Sequence, residues 1–288
     1  MKIKEAISFG IDALTYGLNL QNSDDTKRQI ENDVYFLLSS LLGKNISFIK
    51  TNYDFEMNKK DEEKYKTWLA KRLSLEPVQY ITGETEFFSL DFYVGKGVLI
   101  PRQDTETIIE IAEKHFKDKN NNYLFLDMCC GSGCIGISLL KTFPNSKCVF
   151  VDKYKTPLEY TLRNIKRHNL ENRSIIIESD LFTVLDDCTK FDAILCNPPY
   201  IAPEELKSIS LQITLFEPLE ALKGGSDGLY YYRQLADSAS KFLKPSAPLL
   251  VEIGYNQAKD VEGVLKNWSK TQVFNDLAKN PRVLKAFK

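Results

Sequence analysis

Histidine is almost missing from this chain: His115 and His168 are the whole supply in 288 residues. No two cysteines stand in a CxxC pair either, so the ligand sets of the common zinc sites cannot be assembled and no metal is expected. A histidine general base has few places to come from. Excess charge of one sign is also missing. The 38 Lys and Arg face 39 Asp and Glu, a net of −1, which provides no whole-protein field to draw nucleic acid or an anionic membrane. Long apolar runs are absent: no stretch of ~18 uninterrupted apolar residues occurs. The first twenty residues, MKIKEAISFGIDALTYGLNL, are amphipathic, but Glu5 and Asp12 interrupt them, unlike a signal peptide or a membrane span. These absences leave a soluble, intracellular protein as the expectation, cytoplasmic first and an organelle as the secondary alternative.

Cysteine is present but confined. All six (Cys129, Cys130, Cys134, Cys148, Cys188, Cys196) lie beyond residue 128. They read as small buried hydrophobes in a reducing compartment, with a vicinal Cys129–Cys130 redox pair as the sharper alternative.

Residues 1 to about 76 have helical periodicity. In TKRQIENDVYFLLSSLLGK, Ile30, Val34, Leu37, Leu38 and Leu41 share a face, and Gly43 stands where a helix cap belongs. In KKDEEKYKTWLAKRLS, Tyr65, Trp68, Leu69 and Leu73 form a second stripe, closed by Pro77. The stretch VQYITGETEFFSLDFYVGKGVLIPR is dense in aromatic and β-branched residues, punctuated by Gly83, Gly95 and Gly97, and predicts a hairpin or short strands. From residue 101 onward helix and strand alternate. DTETIIEIAEKHF is a helix with Asp104 or Thr105 as its N-cap, followed by the strand YLFLDM and the helix GCIGISLLKTF. The strand CVFVD precedes a helix with Thr156 as cap and Pro157 at its first position. SIIIESD, FDAILC and PLLVEIGY are further strands, with the helix GLYYYRQLADSASKFL between the last two and the helix NQAKDVEGVLKNW after them. Two short strands close the chain. This alternation predicts a mostly parallel sheet covered on both faces.

Two motifs carry chemistry. In FLDMCCGSGCIGISLL a buried strand ends in Asp127 and a small-residue turn, then a helix begins. Gly131, Gly133 and Gly136 satisfy GxGxxG, so a dinucleotide and a nucleoside both fit the pattern. Asp152, at the end of the next strand, lies 21 residues beyond Gly131, a spacing that suits ribose hydroxyls. Asp127 would repel a pyrophosphate but suits a cation, which favours the ammonium and sulfonium of S-adenosylmethionine.

The second motif is NPPY, residues 197–200, at the end of FDAILC. Neither proline can donate to a sheet. A loop stiffened by Pro198 and Pro199 holds the Asn197 side-chain oxygen and the Pro198 carbonyl as two fixed acceptors. Two convergent acceptors match a planar –NH2, and Tyr200 offers a flat face on which it can stack. The acceptors also favour positive charge growing on nitrogen during methyl transfer. No strong base is needed, since the nitrogen becomes more acidic as it gains the methyl group. The tyrosines of LYYYRQL read as helix packing rather than base stacking.

These residues resemble the peptide chain release factor glutamine methyltransferases. The resemblance runs through NDVYFLLSSLLG, QYITGETEFFSLDFYV, VLIPRQDTE, FLDMCCGSGCIGI, VFVD, SDLF, NPPYI, FEPLEALKGGSDGLYYYRQL and VEIGYNQ. It implies an α/β protein: a Rossmann-like seven-stranded methyltransferase sheet (101–288) with a smaller all-helical domain (1–76) for substrate recognition, joined by a β-hairpin linker (77–100). It implies methylation of the glutamine side-chain nitrogen in the GGQ loop of release factors. It further implies that Cys129, Cys130, Gly131, Ser132 and Gly133 line the methyl donor, that Asp152 binds ribose and that Asp180 and Leu181 flank adenine. Asn197 would contact donor and substrate, and Asn197, Pro198, Pro199 and Tyr200 would hold the glutamine amide. Arg102 is a further residue near the site, or a structural link between hairpin and sheet. The chain departs from the family at Cys129, where glycine is frequent, and at Leu181, where an aromatic is. A monomer without direct nucleic-acid contact is expected. A ribosomal-protein glutamine methyltransferase and an adenine amino-methyltransferase, which shares NPPY, are the alternatives; the balanced charge argues against the second.

Overall fold

The computed structural model describes residues 1–18 and 24–288, so residues 19 and 20 of the amphipathic opening lie outside the described residues. The chain divides into two compact units, Met1–Glu84 and Thr85–Lys288.

The first unit is helical, with helices Ile3–Gly17, Asp24–Leu42, Ile46–Thr51, Lys59–Leu73 and Val78–Thr82. Its core gathers the two predicted stripes: Ile30, Val34, Leu37 and Leu38 with Tyr65, Trp68 and Leu69. Leu73, predicted on the second stripe, is exposed instead. Gly43 takes a left-handed backbone just past the end of its helix, as a cap requires. Gly10 lets the Tyr65 hydroxyl come in close, and that hydroxyl donates to the Ala6 carbonyl at 3.0 Å. A buried ion pair, Arg72 Nε to Asp33 at 2.7 Å, ties two helices together. VQYIT is a turn of helix, not a strand. Pro77 fixes its entry, Gly83 ends it in the left-handed region, and Val78 and Ile81 bury one side, three residues apart. The hairpin is therefore shorter than the aromatic density suggests: β1 is Glu84–Phe87 and β2 is Leu90–Tyr93.

The second unit contains a seven-stranded sheet. Its strands are β3 (Leu124–Met128), β4 (Lys147–Asp152), β5 (Ser174–Glu178), β6 (Ala193–Cys196), β7 (Pro248–Glu252), β8 (Lys270–Asn275) and β9 (Pro281–Phe287). Their order is β5-β4-β3-β6-β7-β9-β8, parallel from β5 through β7, with β9 antiparallel to both of its neighbours. Each face buries its own apolar cluster. Phe125, Phe150 and Leu195 lie in one; Leu126, Met128, Val149 and Val151 lie in the other, as strand alternation dictates.

From β3 the chain winds outward to β5, then returns to place β6 on the other side of β3. A sheet that reverses its winding leaves a crevice at the carboxyl ends of the two strands between which the reversal occurs. Here those strands are β3 and β6. Their register pairs Met128 with Cys196, so the turn opening at Cys129 and the NPPY loop opening at Asn197 leave the sheet side by side.

Candidate active site

The turn after β3 has an irregular backbone. Cys129, Gly131 and Gly133 all have positive φ, at 58°, 58° and 78°. Glycine adopts this region freely and cysteine does not, which explains why the family often has glycine at position 129. Replacing Cys129 by glycine is expected to raise the unfolding free energy by ~0.5–1 kcal/mol, strain relief of ~1–2 kcal/mol less the chain entropy a glycine adds. Urea denaturation measures it; a loss of stability would mean that the Cys129 side chain's packing outweighs its backbone strain. The carbonyls of the turn are held from the helix Lys155–Arg167: Thr161 Oγ1 donates to Gly131 at 2.9 Å, and Asn164 Nδ2 to Ser132 at 2.9 Å.

Asp152, at the end of β4, accepts from Gly131 N at 3.0 Å and from Tyr154 N at 3.1 Å. Burial raises its pKa above the usual carboxylate range, and the backbone donors partly oppose that. Asp127 departs from the expectation of a ligand carboxylate. It is fully buried beneath the turn and accepts from Gly136 N at 2.8 Å, while its other oxygen has no partner among the described residues. Burial raises its pKa above the ordinary value, opposed by the bond from Gly136 N and assisted by the nearby Asp152 charge. A group so placed braces the start of the helix Cys134–Thr142. Gly136 allows that helix to lie on β4, because a Cβ there would sit 2.4 Å from the Phe150 ring.

A cavity of ≈ 290 Å³ opens over the crevice. Of the residues singled out from sequence, Cys129, Cys130, Gly131, Ser132, Asp152, Asp180, Leu181, Asn197, Pro199 and Arg102 line it. Asp127, Gly133, Pro198 and Tyr200 do not. Gly133 instead packs against Thr161 and Ile137. Gly131 is different: a Cβ there would find no atom nearer than Val98 Cγ2 at 4.0 Å. Its positive φ and the open space beside it let a ligand approach the backbone closely. Asp180 is bridged by Lys153 at 2.7 Å, and Leu181 is apolar, nearly buried and strained at φ 51°.

The helix Tyr230–Ser238 splits the three tyrosines of LYYYRQL. Tyr230 is exposed and Tyr232 is buried, its hydroxyl donating to the Glu252 carbonyl at 3.1 Å; Tyr231 lines the cavity. Tyr231 is half-buried against the core, as helix packing predicts, and faces the cavity as well. A period of 3.6 places residues on a face but does not say which face meets a cavity. The cysteines also divide. Cys130, Cys134, Cys148 and Cys196 are buried, Cys129 is half-buried and Cys188 is exposed; all six are free thiols. Burial raises the pKa values of the Cys130, Cys134, Cys148 and Cys196 thiols and leaves them unreactive.

The NPPY loop is held by residues that the sequence motifs contain but that the sequence does not tie to this loop. Glu252, at the end of β7, accepts from the Tyr200 hydroxyl at 3.2 Å and from Thr105 Oγ1 at 2.6 Å. Asn197 Nδ2 donates to that same Thr105 oxygen at 3.2 Å. Of the two expected N-caps, Asp104 and Thr105, it is Thr105 that holds the N-cap position, but its hydroxyl donates to Glu252 and makes no cap bond. Gln257 Nε2 donates to the Tyr200 carbonyl at 2.9 Å. Ile201 N donates to Leu222 O at 2.8 Å, and Gly224 N to Ile201 O at 2.9 Å. Arg102 pairs with the buried Glu217, which also accepts from Ile100 N at 3.1 Å. The IPRQDTE segment is thus tied to the FEP segment at one wall of the cavity. Tyr200 presents its ring beside this network rather than on the cavity wall, since its hydroxyl is drawn toward Glu252. Partners some 20 to 150 residues apart leave no local pattern, which is why spacing alone missed them.

The Methyltransferase small domain family matches residues 105–226, and the PrmC N-terminal domain family matches residues 23–83. A release factor glutamine methyltransferase of Clostridium botulinum is 38% identical over 259 residues, 89% of this chain and 91% of that protein. One from Clostridium acetobutylicum is 34% identical over 289 residues, 99% and 98% of the two chains. Among solved structures, the hMettl16 catalytic domain in complex with MAT2A 3'UTR hairpin 6 aligns with a TM-score of 0.58 at 15% identity, covering 87% of this chain and 91% of that one. A T. thermophilus rRNA methyltransferase in complex with AdoMet and guanosine aligns at 0.52 and 14% identity, covering 71% and 49%. Both likenesses concern the fold alone. Near-complete coverage by such relatives, together with the adjoining glycine-rich turn and NPPY loop, establishes that the chain belongs to the release factor glutamine methyltransferases.

Proposed function

We propose that the chain transfers a methyl group from S-adenosylmethionine to the side-chain amide nitrogen of the glutamine in the GGQ loop of peptide chain release factors. The observation that carries this reading is the paired exit of the Cys129 turn and of Asn197 from β3 and β6, which brings the glycine-rich turn, Asn197 and Pro199 to one cavity. The residues present fit the donor. Asp152 keeps acceptor capacity on both oxygens for ribose hydroxyls, the turn at Gly131 leaves room against bare backbone, and Leu181 and Asp180 offer an apolar and a polar contact to adenine. The supporting case for this cofactor includes the neighbouring rRNA enzyme solved with AdoMet. Bound there, the cofactor would supply an electrophilic methyl carbon on a sulfonium leaving group.

The protein's own residues do the rest. The Asn197 side-chain oxygen and the Pro198 carbonyl each accept one N–H of the glutamine amide. No described residue donates to either oxygen. With both N–H bonds held, the nitrogen lone pair is aimed at the methyl carbon, and alignment lowers the barrier. The two acceptors bind the nitrogen more strongly as it becomes cationic, which is differential stabilisation of the transition state. The proton leaves after transfer, when the nitrogen is acidic. The helical unit grips the release factor, the enzyme works as a cytoplasmic monomer, and no direct nucleic-acid contact is needed.

Incubation with isotopically labelled methyl donor and separately with purified release factor, ribosomal proteins and DNA tests the reading. Label on the GGQ glutamine amide, located by mass spectrometry, is expected. Label on a ribosomal protein or on adenine instead would replace the substrate assignment.

A further inference from the structure

We propose that Glu252 and Thr105 are positioning residues that decide which end of the Asn197 side-chain amide meets the substrate. The Thr105 hydroxyl donates to the Glu252 carboxylate and therefore accepts from Asn197 Nδ2, leaving Oδ1 as the end that holds the reacting amide.

A hydroxyl has one proton to give. Thr105 Oγ1 spends it on Glu252 Oε2 at 2.6 Å, a short contact of the charge-assisted kind. Toward Asn197, 3.2 Å away, Thr105 then has only lone pairs to offer. An asparagine amide can turn by half a rotation about its last bond with little change in shape. Unconstrained, it would present –NH2 or C=O to the cavity with similar ease. The donor end would repel a substrate –NH2, whereas the acceptor end binds it. The chain Glu252–Thr105–Asn197 removes the wrong orientation. The inference rests on the methyl-transfer reading for its consequence, but the orientation of Asn197 can be measured without any transfer.

The direction of this chain depends on the charge of Glu252. Burial raises its pKa to about 7, opposed by the bonds from Thr105 and Tyr200 and by the Arg282 charge, and assisted by Asp104. Arg282 is itself paired with Asp104 and Asp276. Tyr200, Tyr232 and Cys134 also feel the Glu252 charge, and all three have pKa values raised out of the neutral range chiefly by burial. Glu252 is therefore the member of this group that titrates near neutrality. Above that pH it is a carboxylate and accepts from Thr105. Below it, the protonated acid can donate to Thr105 Oγ1, which frees the Thr105 proton for Asn197 Oδ1 and turns the amide around.

Two measurements test this. In full-length protein labelled with ¹⁵N-asparagine, the side-chain amide signal of Asn197, assigned by its loss in Asn197→Ala, is expected to shift as pH passes through about 7. The shift should vanish in Glu252→Gln and in Thr105→Val. An Asn197 signal insensitive to pH in the wild type, or unchanged in both variants, overturns the proposal whatever the substrate is. In transfer assays Thr105→Val is expected to lower kcat about 10- to 100-fold with KM for the protein substrate within about threefold, and Thr105→Ser is expected to restore most of it. The acid limb of the kcat profile should disappear in Glu252→Gln. If the wild type methylates a different substrate, the functional reading fails while the spectral test still decides the orientation. If the wild type methylates the release factor and Thr105→Val matches it in kcat, the positioning role fails alone. Thermal melting of Thr105→Val within a few degrees of the wild type separates lost positioning from lost folding; a drop in kcat seen only with a collapsed melting transition counts against the proposal.

Discussion

Asn197→Ala is expected to lower the rate of methyl transfer about 10²- to 10³-fold while the protein stays folded. Removing one preoriented polar contact to the reacting group costs roughly this factor in other enzymes. Here Asn197 Oδ1 is one of two acceptors, and the Pro198 carbonyl survives the substitution. The fold should hardly notice. Asn197 is only half-buried, and its described side-chain hydrogen bond runs to Thr105, whose oxygen remains satisfied through Glu252. Cofactor affinity should fall by less than about tenfold, because the turn at Cys129–Gly133 and Asp152 stay in place. Single-turnover rates, calorimetric binding of the methyl donor and thermal melting separate the three quantities. Near-normal transfer by the variant would remove Asn197 from the acceptor role, and with it the physical reading of NPPY.

Gly224→Ala should damage both stability and activity, although it adds only a methyl group. The added Cβ would stand 2.6 Å from Tyr200 Cα and 2.7 Å from its carbonyl carbon. Those are backbone atoms and cannot rotate aside, so the NPPY loop must move or Gly224 must. Movement of Gly224 breaks its bond to Ile201 O at 2.9 Å and disturbs the bond from Tyr230 N to its own carbonyl at 3.0 Å. Overpacking of this kind costs about 1–3 kcal/mol. Displacement of a positioning loop by ~1 Å costs about 10²-fold in rate. A control lies in the helix Ala258–Val264, where a Cβ on Gly263 meets nothing within 4 Å. Gly263→Ala should be neutral or stabilising by up to ~1 kcal/mol. Urea denaturation and transfer rates for the two variants decide the matter. Wild-type behaviour of Gly224→Ala would mean that the GG.DGL segment does not hold the loop.

These two results concern different parts of one device. The segments quoted for the family resemblance, PRQDTE, FEP, GGSDGL and VEIGYNQ, meet around residues 197–201. Arg102 and Glu217 pair at the cavity wall, Gly224 and Gly228 make room for the Tyr200 backbone, Gln257 holds its carbonyl, and Glu252 holds its hydroxyl and Thr105. Most of these residues never touch a ligand in the proposed reaction. Their common task is to hold a short loop rigidly in place, because a weak nucleophile leaves the protein little chemistry to contribute beyond geometry.

The strand and helix sequence was legible because it depends on neighbours. YLFLDM, CVFVD and FDAILC are short apolar runs bounded by turn residues, and each lies within a strand of the central sheet or extends at most two residues beyond it. The hairpin was misread at its start because VQYIT has strand-like composition; Pro77 and Gly83, one at each end, settled it as a helical turn. NPPY and the glycine-rich turn were legible as chemistry because proline restricts the backbone and glycine frees it wherever they stand.

Position in space was a different matter. Asp127 reads as a ligand carboxylate from its place at a strand end, yet the helix Cys134–Thr142 closes over it and Gly136 N claims it. Tyr231 reads from sequence as a helix-packing tyrosine, and only the folded chain shows that it also lines the cavity. Glu252 and Thr105 are 147 residues apart. The sequence by itself determined which local structures form and which backbone stretches are stiff, since propensity, periodicity and steric restriction act over a few residues. The tertiary structure alone decided which carboxylate is buried beneath the turn and which one aligns the NPPY amide, because desolvation and hydrogen-bond partnership depend on groups that the chain brings together only when it folds.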